Sequence, residues 1–418
     1  MPSFRAGGWI IACTLYGALA VWLFSFAPSL SNDDAYFFLR GIERFSILEF
    51  RPHFPGYPGF ILLGKALYGL GLSPLSALSF LSLSMALAIP VLCLLCVEKN
   101  RLAVFLCALS MPLLPYLGLS LMSDGAGIAF FLATLWQYRK GNFTISGLLL
   151  GGALACRPSF VIFAAIFIIA AIVKDKKAAL PFVLACIILC LLFLLGLLAI
   201  EQMPLVWEGW RFIEGHFLLW GNTTLGTNKL SWFDSFSLIP GGVAYFLALS
   251  LGLAFSLYSH RKSILLFIVI FGWGWILLFQ NPENLRHLAL PLILSLIFIA
   301  KTDHLINKIA LYSLIALQVF ISNQMNIHSP RLSPLELTRQ HLLNESADKV
   351  ITHHGVHYLH DRLPNSHVFD KYYPYQVDFP LWDISTTAPS SLSEIKVFPA
   401  RMMGEQSYYI HKQELKRD

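Results

Sequence analysis

Residues 178–200 read AALPFVLACIILCLLFLLGLLAI and carry no charge. As an α-helix with a rise of 1.5 Å per residue, this stretch would be about 35 Å long. The hydrocarbon core of a bilayer is ~30 Å thick, and a helix needs about 20 apolar residues to cross it. Lys176 and Lys177 stand before the stretch and Glu201 follows it, so charged residues bracket it at both ends. The stretch therefore predicts a transmembrane helix.

The composition extends this prediction to most of the chain. Of 418 residues, 56% are hydrophobic and 13% are charged, whereas soluble proteins carry about 25% charged residues. Lipid is therefore expected to solvate most of the surface. The net charge of +6 would suggest a nucleic-acid partner in a soluble protein. Here the basic residues stand in short loops between apolar segments, so they indicate topology and no nucleic-acid partner is expected.

Two kinds of connection join the apolar segments, one short and basic, the other longer and richer in acids. The apolar segments are 9–27, 57–72, 75–97, 102–119, 124–138, 144–156, 158–173, 178–200, 238–258, 263–280, 284–300 and 304–322. If the basic connections lie in the cytoplasm, basic and acid-rich connections alternate along the chain between the two sides of the membrane. This alternation requires two conditions. Segment 57–72 must not cross on its own, and 144–173 must cross twice. The result is about 11 crossings, with the N-terminus cytoplasmic and the C-terminus external.

The break within 144–173 is expected at Arg157-Pro158, because proline disfavours helix for the residue before it. From about residue 325 the composition becomes polar and aromatic. Residues 333–336 read SPLE, a helix start with a serine cap and a glutamate three residues later. The sequence thus predicts an all-α polytopic membrane domain with interfacial helices over 1–324 and a small external α/β domain over 325–418.

The first external loop opens with a pair of acids, Asp33-Asp34. Apolar and polar residues follow in the pattern of an amphipathic helix that lies in the membrane interface. Carboxylates at the start of such a helix face the positive end of its dipole, which favours their ionised form. They are suited to act as a general base toward a hydroxyl or to bind a divalent cation. The competing interpretation is a helix cap formed by Asn32 or Asp33.

Further polar residues fall on the same predicted side of the membrane. Charges near membrane depth are costly and usually functional, and the planar fork of arginine suits phosphate. Each of these residues alone is also explained as an interfacial anchor. The candidate substrate-binding residues are His53, Asp124, Arg157, Glu283, Arg286 and His287.

Several motifs do not occur in the sequence. It has no Gly-Lys-Ser/Thr phosphate loop, no G-x-G-x-x-G after a strand, no G-x-S-x-G elbow and no H-E-x-x-H. A nucleotide-dependent pump and a membrane metalloprotease are therefore not expected. In the C-terminal segment from about residue 325, referred to below as the tail, His353, His357 and His360 have helical spacing that would suit a metal, although solvated side chains are the favoured explanation.

Five stretches together resemble the GT-C glycosyltransferases, which take sugars from polyprenyl- or dolichyl-phosphate carriers and include mannosyltransferases and aminoarabinose transferases. They are the acidic pair with its following residues, a Pro-aromatic return to the membrane, a short acidic loop, a Gly/Ala-rich turn ending in Arg-Pro, and an arginine-containing entry to a late span. Their positions are 33–36, 55–60, 120–125, 151–158 and 284–287. The His-Pro-Asp-Glu loop of some eukaryotic mannosyltransferases and the Trp-Trp-Asp motif of oligosaccharyltransferases are absent, which favours transfer of a single sugar.

The resemblance implies an inverting hexosyl or pentosyl transferase. Asp33 or Asp34 would deprotonate the acceptor hydroxyl, while Arg157 and Arg286 would neutralise the leaving polyprenyl phosphate. No cofactor is required, although Mg²⁺ or Mn²⁺ on Asp33 and Asp34 is an option because some relatives use one. The expected partners are a polyprenyl-phosphate sugar, a glycan, lipid or protein acceptor, and membrane lipid.

The resemblance also implies a bacterial inner membrane with a periplasmic active site. The alternative function is a secondary transporter or flippase for a lipid-linked or anionic substrate. Transporters usually place ionisable groups at the bilayer midplane and have repeated halves, whereas these acids cluster on one side and the sequence shows no repeat.

Overall fold

The structure is a computed structural model that describes residues 2–220, 231–259, 263–325, 331–371, 373, 380–389 and 395–413. It is mostly helical, at 69%, with a small C-terminal sheet. The described residues up to Lys174 form nine α-helices. They are α1 (Pro2–Phe24), α2 (Asp33–Glu43), α3 (Pro58–Gly69), α4 (Pro74–Leu95), α5 (Arg101–Leu109), α6 (Leu114–Leu119), α7 (Asp124–Arg139), α8 (Phe143–Cys156) and α9 (Val161–Lys174).

The remaining helices of the apolar part continue to Gln324. They are α10 (Lys176–Glu201), α11 (Met203–Gly215), α12 (Trp232–Ser237), α13 (Gly242–Ser259), α14 (Ile264–Phe279), α15 (Ala289–Ala300) and α16 (Leu305–Gln324). A short 3₁₀ turn precedes α9 at Pro158–Phe160 and another precedes α15 at Leu285–Leu288, and a π-helical turn covers His216–Trp220.

Four of the described helices are long and apolar enough to cross a membrane: Gly7–Phe24, Pro74–Leu95, Lys176–Glu201 and Leu305–Gln324. Shorter apolar helices occur at Phe143–Cys156, Pro158–Lys174, Gly242–Leu257, Ile264–Phe279 and Leu285–Ala300. These helices identify a membrane protein. The count of about 11 crossings and the orientation of the termini stay predictions.

Helix bounds agree with the apolar segments except where proline interrupts them. The predicted segment 102–119 is two helices, α5 and α6, separated at Ser110–Leu113. Pro112 and Pro115 lack a backbone N–H and clash with the preceding turn, which explains the break. The expected interruption at Arg157 is present, since this residue lies between α8 and the 3₁₀ turn with a non-helical φ of −139° and ψ of 84°.

The bundle packs around α15, whose residues are all buried. A helix apolar on every face is expected in the centre of a bundle. Polar side chains near it are hydrogen-bonded to one another: Asn307 Nδ2 donates to Ser256 Oγ at 2.6 Å, and Gln318 Nε2 donates to Tyr245 Oη at 3.0 Å. These bonds satisfy buried polar groups and link α16 to α13.

The tail combines two helices with a five-stranded sheet. Its elements are α17 (Pro334–Asn344), β1 (Lys349–Thr352), α18 (Val356–Arg362), β2 (His367–Asp370), β3 (Leu381–Ser385), β4 (Lys396–Phe398) and β5 (Tyr408–Gln413). The strand order is β2-β1-β3-β5-β4. β1 pairs in parallel with β2 and β3, while β5 pairs antiparallel with β3 and β4. The predicted α/β character of this segment agrees with these elements, and the domain boundary at 324/325 stays a prediction.

Helix α2 lies between the bundle and the tail, and α3 packs beside it against the bundle. α3 has 12 residues, about 18 Å of helix, too short to cross the hydrocarbon core. It packs closely on α8, because a Cβ on Gly59 would lie 2.8 Å from Ala155 Cβ. α2 contacts α3 and α4 on one side and α18 of the tail on the other. This position brings the residues of α2 between the two parts of the chain.

Candidate functional site

The cap of α2 is Asn32, whose side chain accepts the backbone N–H of Ala35 at 2.9 Å. Asparagine in an extended conformation is among the best N-caps. The capping role that was an alternative for the acids thus belongs to Asn32. The carboxylates of Asp33 and Asp34 are left for other contacts, and they point to different partners.

Asp34 contacts two basic groups from distant segments. Its Oδ2 accepts a hydrogen bond from Arg286 Nη2 at 3.1 Å, and its Oδ1 lies 3.9 Å from His53 Nε2. Burial alone would raise the pKa of Asp34, but His53 and Arg286 outweigh it and the pKa is lowered. The Asp34 side chain remains 34% exposed although protein surrounds it, as expected for a group that lines a cleft. Asp34 is therefore ionised and accessible.

A second ion pair is more fully buried than the pair of Asp34 and Arg286. Arg157 Nη2 and Asp124 Oδ1 are 3.1 Å apart, and the two side chains are 5% and 4% exposed. Arg157 occupies the break before α9, and Asp124 begins α7. Asp124 also acts electrostatically on Arg286, and Arg157 acts on Asp34. Two carboxylates and two guanidinium groups thus form one cluster whose formal charges cancel.

Neutral polar groups complete this cluster. His53 Nε2 and the Tyr57 hydroxyl are 3.2 Å apart, and the Arg157 guanidinium lies 5.9 Å from the centre of the Tyr57 ring. Burial lowers the pKa of His53, an effect that Asp34 opposes and the two arginines reinforce. His53 is therefore neutral at pH 7, where Arg286 is the cation that balances Asp34. We refer to Asp34, His53, Tyr57, Asp124, Arg157 and Arg286 as the charge cluster.

The charge cluster is not fully hydrogen-bonded by the protein. Several of its buried atoms have no hydrogen-bond partner among the described residues: Asp124 Oδ2, Arg157 Nε, Arg286 Nε, His53 Nδ1 and the neighbouring Ser123 Oγ. Buried polar atoms are nearly always paired, so such exceptions call for an unseen polar group. A cavity of about 10 Å³ next to Asp124 and Arg286 has room for about one water molecule. The arrangement therefore offers unpaired donors and acceptors to a polar group.

Asp33 faces the tail. Its Oδ1 accepts the backbone N–H of Tyr358 at 3.0 Å, and the nearby backbone amides of His357 and Val356 also act to lower the pKa of Asp33. Burial raises the pKa of Asp33 to about 6, against the lowering effect of the Tyr358 amide, and Asp34 adds to the rise. Asp33 thus serves the first turn of α18, whereas Asp34 serves the charge cluster.

An apolar groove is lined in part by residues that directly follow Tyr57 of the charge cluster in the chain. It has a volume of about 300 Å³ and runs between α3 and α10. Pro58, the residue after Tyr57, is among its lining residues, and Lys65 is the charged residue among them. The remaining lining residues are Phe45, Ile61, Leu62, Leu192, Phe193, Gly196, Leu197 and Ile200. Such a groove fits an extended hydrocarbon chain.

The structure brings most of the predicted substrate-binding residues together: His53, Asp124, Arg157 and Arg286 share the cluster. His287 is close enough for both arginines to act on it. Glu283 is exposed, and within the described chain no hydrogen bond or ion pair joins its side chain to the cluster. Tyr57 was not predicted as a site residue, although it lies within residues 55–60, the stretch that resembles a Pro-aromatic return to the membrane.

The described residues contain no group of three or more His, Cys, Asp or Glu side chains that could hold a metal ion. Mg²⁺ prefers an octahedron of oxygen ligands, whereas Asp34 is bonded to a guanidinium and Asp33 to a backbone amide. The predicted divalent cation on Asp33 and Asp34 therefore does not fit the present arrangement of their contacts. Among the tail histidines whose spacing would suit a metal, His357 stacks on Phe50 with ring centres 5.6 Å apart.

No protein-family model matches this chain, and no curated protein matches it with significance.

Proposed function

We propose that this protein is an integral membrane glycosyltransferase that moves a single sugar from a polyprenyl-phosphate carrier to an acceptor hydroxyl. The observation that carries the proposal is the charge cluster, together with an apolar groove whose lining residue Pro58 directly follows Tyr57 of the cluster. Two arginines and two carboxylates from distant segments converge in the cluster, with buried polar atoms left unpaired. A ligand with a phosphate and a long hydrocarbon chain matches both features. The GT-C resemblance of the sequence supports the same reaction.

Asp34 is the candidate general base. It is ionised, partly exposed and central to the cluster. In the proposed reaction its carboxylate takes the proton of the acceptor hydroxyl, and the oxygen attacks the anomeric carbon. The bond from that carbon to the phosphate oxygen breaks, and polyprenyl phosphate leaves with the bonding electrons. Attack opposite the leaving group inverts the configuration at the anomeric carbon.

Arg157 and Arg286 are the candidate phosphate ligands. The leaving phosphate gains negative charge in the transition state, and preorganised donors at that point stabilise it. Each arginine retains a buried Nε without a partner among the described residues, so each has a donor available for a phosphate oxygen. Guanidinium groups bind phosphate through two charge-assisted bonds. In the ligand-free arrangement, Asp34 and Asp124 balance these positive charges.

The groove between α3 and α10 is the candidate site for the hydrocarbon chain. Its walls are aliphatic and aromatic, and Lys65 supplies one positive charge. α10 exposes apolar side chains along its length, among them Leu184, Leu191 and Leu195, so the groove opens toward lipid. A lipid-linked donor would then reach the cluster without leaving the membrane. The outer face of a bacterial inner membrane is the proposed location, with the tail external.

The proposal is tested by deleting the gene and measuring carrier-linked sugars and surface glycans by mass spectrometry. The expected result is a glycan that lacks one sugar, together with accumulation of the corresponding carrier-linked sugar. Wild-type protein should restore the glycan and Asp34→Asn should not. Asp348→Asn, at an exposed tail carboxyl, is the matched control and should restore it.

The alternative function, a transporter or flippase, gives a different outcome in purified protein. Reconstituted into liposomes, a transporter moves a lipid-linked or anionic substrate across the bilayer without forming a glycosidic bond. Translocation by Asp34→Asn at the wild-type rate, with no transfer product from either protein, would replace the proposed function by this one.

A further inference from the structure

Three polar contacts join the described part of the tail to α2. Asp33 Oδ1 accepts the Tyr358 amide at 3.0 Å, and the Tyr36 hydroxyl donates to Asp361 Oδ2 at 2.7 Å. Arg40 lies 3.7 Å from the same Asp361 carboxylate. α18 has no side-chain cap of its own, because Gly355 occupies its N-cap position. Asp33 supplies that cap from a position 325 residues away in the chain, so its carboxylate replaces a local capping residue.

Contacts between aromatic and histidine rings connect the docked tail to the charge cluster. His357 lies 5.0 Å from Phe37 and stacks on Phe50. Phe37 in turn lies 5.7 Å from His53, which faces Asp34 at 3.9 Å. A continuous row of side chains therefore leads from α18 to the candidate base.

The segment in the middle of this row has a strained backbone. Phe50 has a φ of 54°, a left-handed conformation that a bulky residue rarely adopts. Such a conformation persists only where the surroundings hold it. Ser46 and Arg51 exchange backbone hydrogen bonds at 2.7 Å around it, and His357 covers its ring. The tail thus supplies one of the contacts that keep residues 46–57 in place.

We infer that Asp33 is a positioning residue that fastens the tail to α2, so that His357 of the tail holds the loop carrying His53 beside Asp34. The relation of this inference to catalysis rests on the proposed function, whereas the docking itself does not. The adjacent acids thus have separate tasks: Asp34 belongs to the reaction, and Asp33 joins the two parts of the chain. The other ionisable groups that act on Asp33 are Asp34 on its own helix and Tyr408 of β5.

Asparagine and alanine at position 33 separate this role from general-base catalysis. Asp33→Asn keeps an oxygen that accepts the Tyr358 amide but loses the carboxylate, while Asp33→Ala loses both. Hydrogen–deuterium exchange of the full chain in nanodiscs reports the amides of 356–358 and of 46–57 separately. Sugar transfer is measured on the same samples, with Asp348→Ala as the charge-loss control.

Asp33→Ala should raise exchange at 356–358 and at 46–57 by about tenfold or more, the scale of a lost hydrogen bond to a charged group. Transfer should fall through kcat by a similar factor, and Asp33→Asn should restore docking and most of the transfer. His357→Ala should leave 356–358 protected and raise exchange at 46–57 only. This second variant tests the row of contacts even if Asp33→Ala does not fold.

Two results would overturn the inference. Unchanged exchange in Asp33→Ala would show that this carboxylate does not hold the tail. Loss of transfer in Asp33→Asn with full protection of 356–358 would make Asp33 the base. The exchange measurements decide the docking role whether or not the wild-type protein transfers sugar. Failure of the proposed function is therefore distinguishable from failure of this inference.

Discussion

Removing the buried Asp124–Arg157 pair in two ways separates its contribution to stability from its contribution to function. The two side chains are 5% and 4% exposed and 3.1 Å apart. Asp124→Asn leaves the Arg157 guanidinium buried without its nearest counter-charge, and breaking such a pair costs about 3–5 kcal/mol. At about 2 °C per kcal/mol, the low end for large domains, the Tm should fall by roughly 6–10 °C.

The double variant Asp124→Leu/Arg157→Met removes both charges and keeps similar volumes. Replacing a buried ion pair by apolar residues is often neutral or stabilising. Asp124 Oδ2 and Arg157 Nε already have no hydrogen-bond partner among the described residues, so the pair is incompletely compensated in the wild type. The Tm of the double variant should therefore lie close to that of the wild type, while sugar transfer is lost.

The assay is thermal unfolding followed by tryptophan fluorescence in detergent, with transfer activity measured beside it. Asp303→Asn breaks the exposed Lys308–Asp303 pair, whose side chains are 44% and 52% exposed, and serves as the control. Exposed pairs contribute about 0–1 kcal/mol, so its Tm should hardly move. A double variant as unstable as Asp124→Asn, or one that still transfers sugar, would refute the reasoning.

Three further predictions address the tail, the packing of α3 and the groove. The pKa of Asp33 is raised from 3.8 to about 6 by burial in the docked state, so docking binds a proton at Asp33, and the contribution of this residue should strengthen as pH falls from 7 toward 4. Protection factors at 356–358, corrected for the intrinsic pH dependence of amide exchange, should therefore be higher at low pH in the wild type than in Asp33→Asn, which lacks this contribution. Gly59→Ala places a Cβ 2.8 Å from its neighbour, whereas Gly69→Ala meets nothing within 4 Å; the first should cost about 1–3 kcal/mol of stability and the second little, as measured by thermal unfolding. Gly196 lines the groove, and a Cβ there meets nothing within 4 Å, so Gly196→Phe should narrow the groove; the KM for a lipid-linked donor should then rise with kcat nearly unchanged.

Much of the helical architecture follows from local sequence. The uncharged stretch 178–200 lies in α10 (Lys176–Glu201), because charged residues at both ends bound the apolar run. The interruption at Arg157 was predictable from the proline that follows it. The division of 102–119 was missed, because its apolar composition is continuous and only Pro112 and Pro115 mark the break.

The candidate site was predictable as a set of residue types and not as a geometry. Topology placed Asp34, Arg157 and Arg286 on one side of the membrane, and the structure brings them into one cluster. The separate partners of Asp33 and Asp34 could not be predicted, because neighbours at the start of a helix point in different directions and their partners lie far away in the chain. The capping of α18 by Asp33 joins residues 325 positions apart, and no local pattern reports such a contact.

The most direct test is transfer by the purified protein in liposomes that contain radiolabelled polyprenyl-phosphate sugars and an extract of acceptors. The expected result is a new glycosidic product of inverted configuration with the wild-type protein. Asp34→Asn should reduce the rate by about 10²–10⁴-fold, the usual contribution of a general base, with a smaller fall in Tm than Asp124→Asn because Asp34 is 34% exposed. Equal rates for the wild-type protein and Asp34→Asn, or no product with any lipid-linked sugar, would contradict the account.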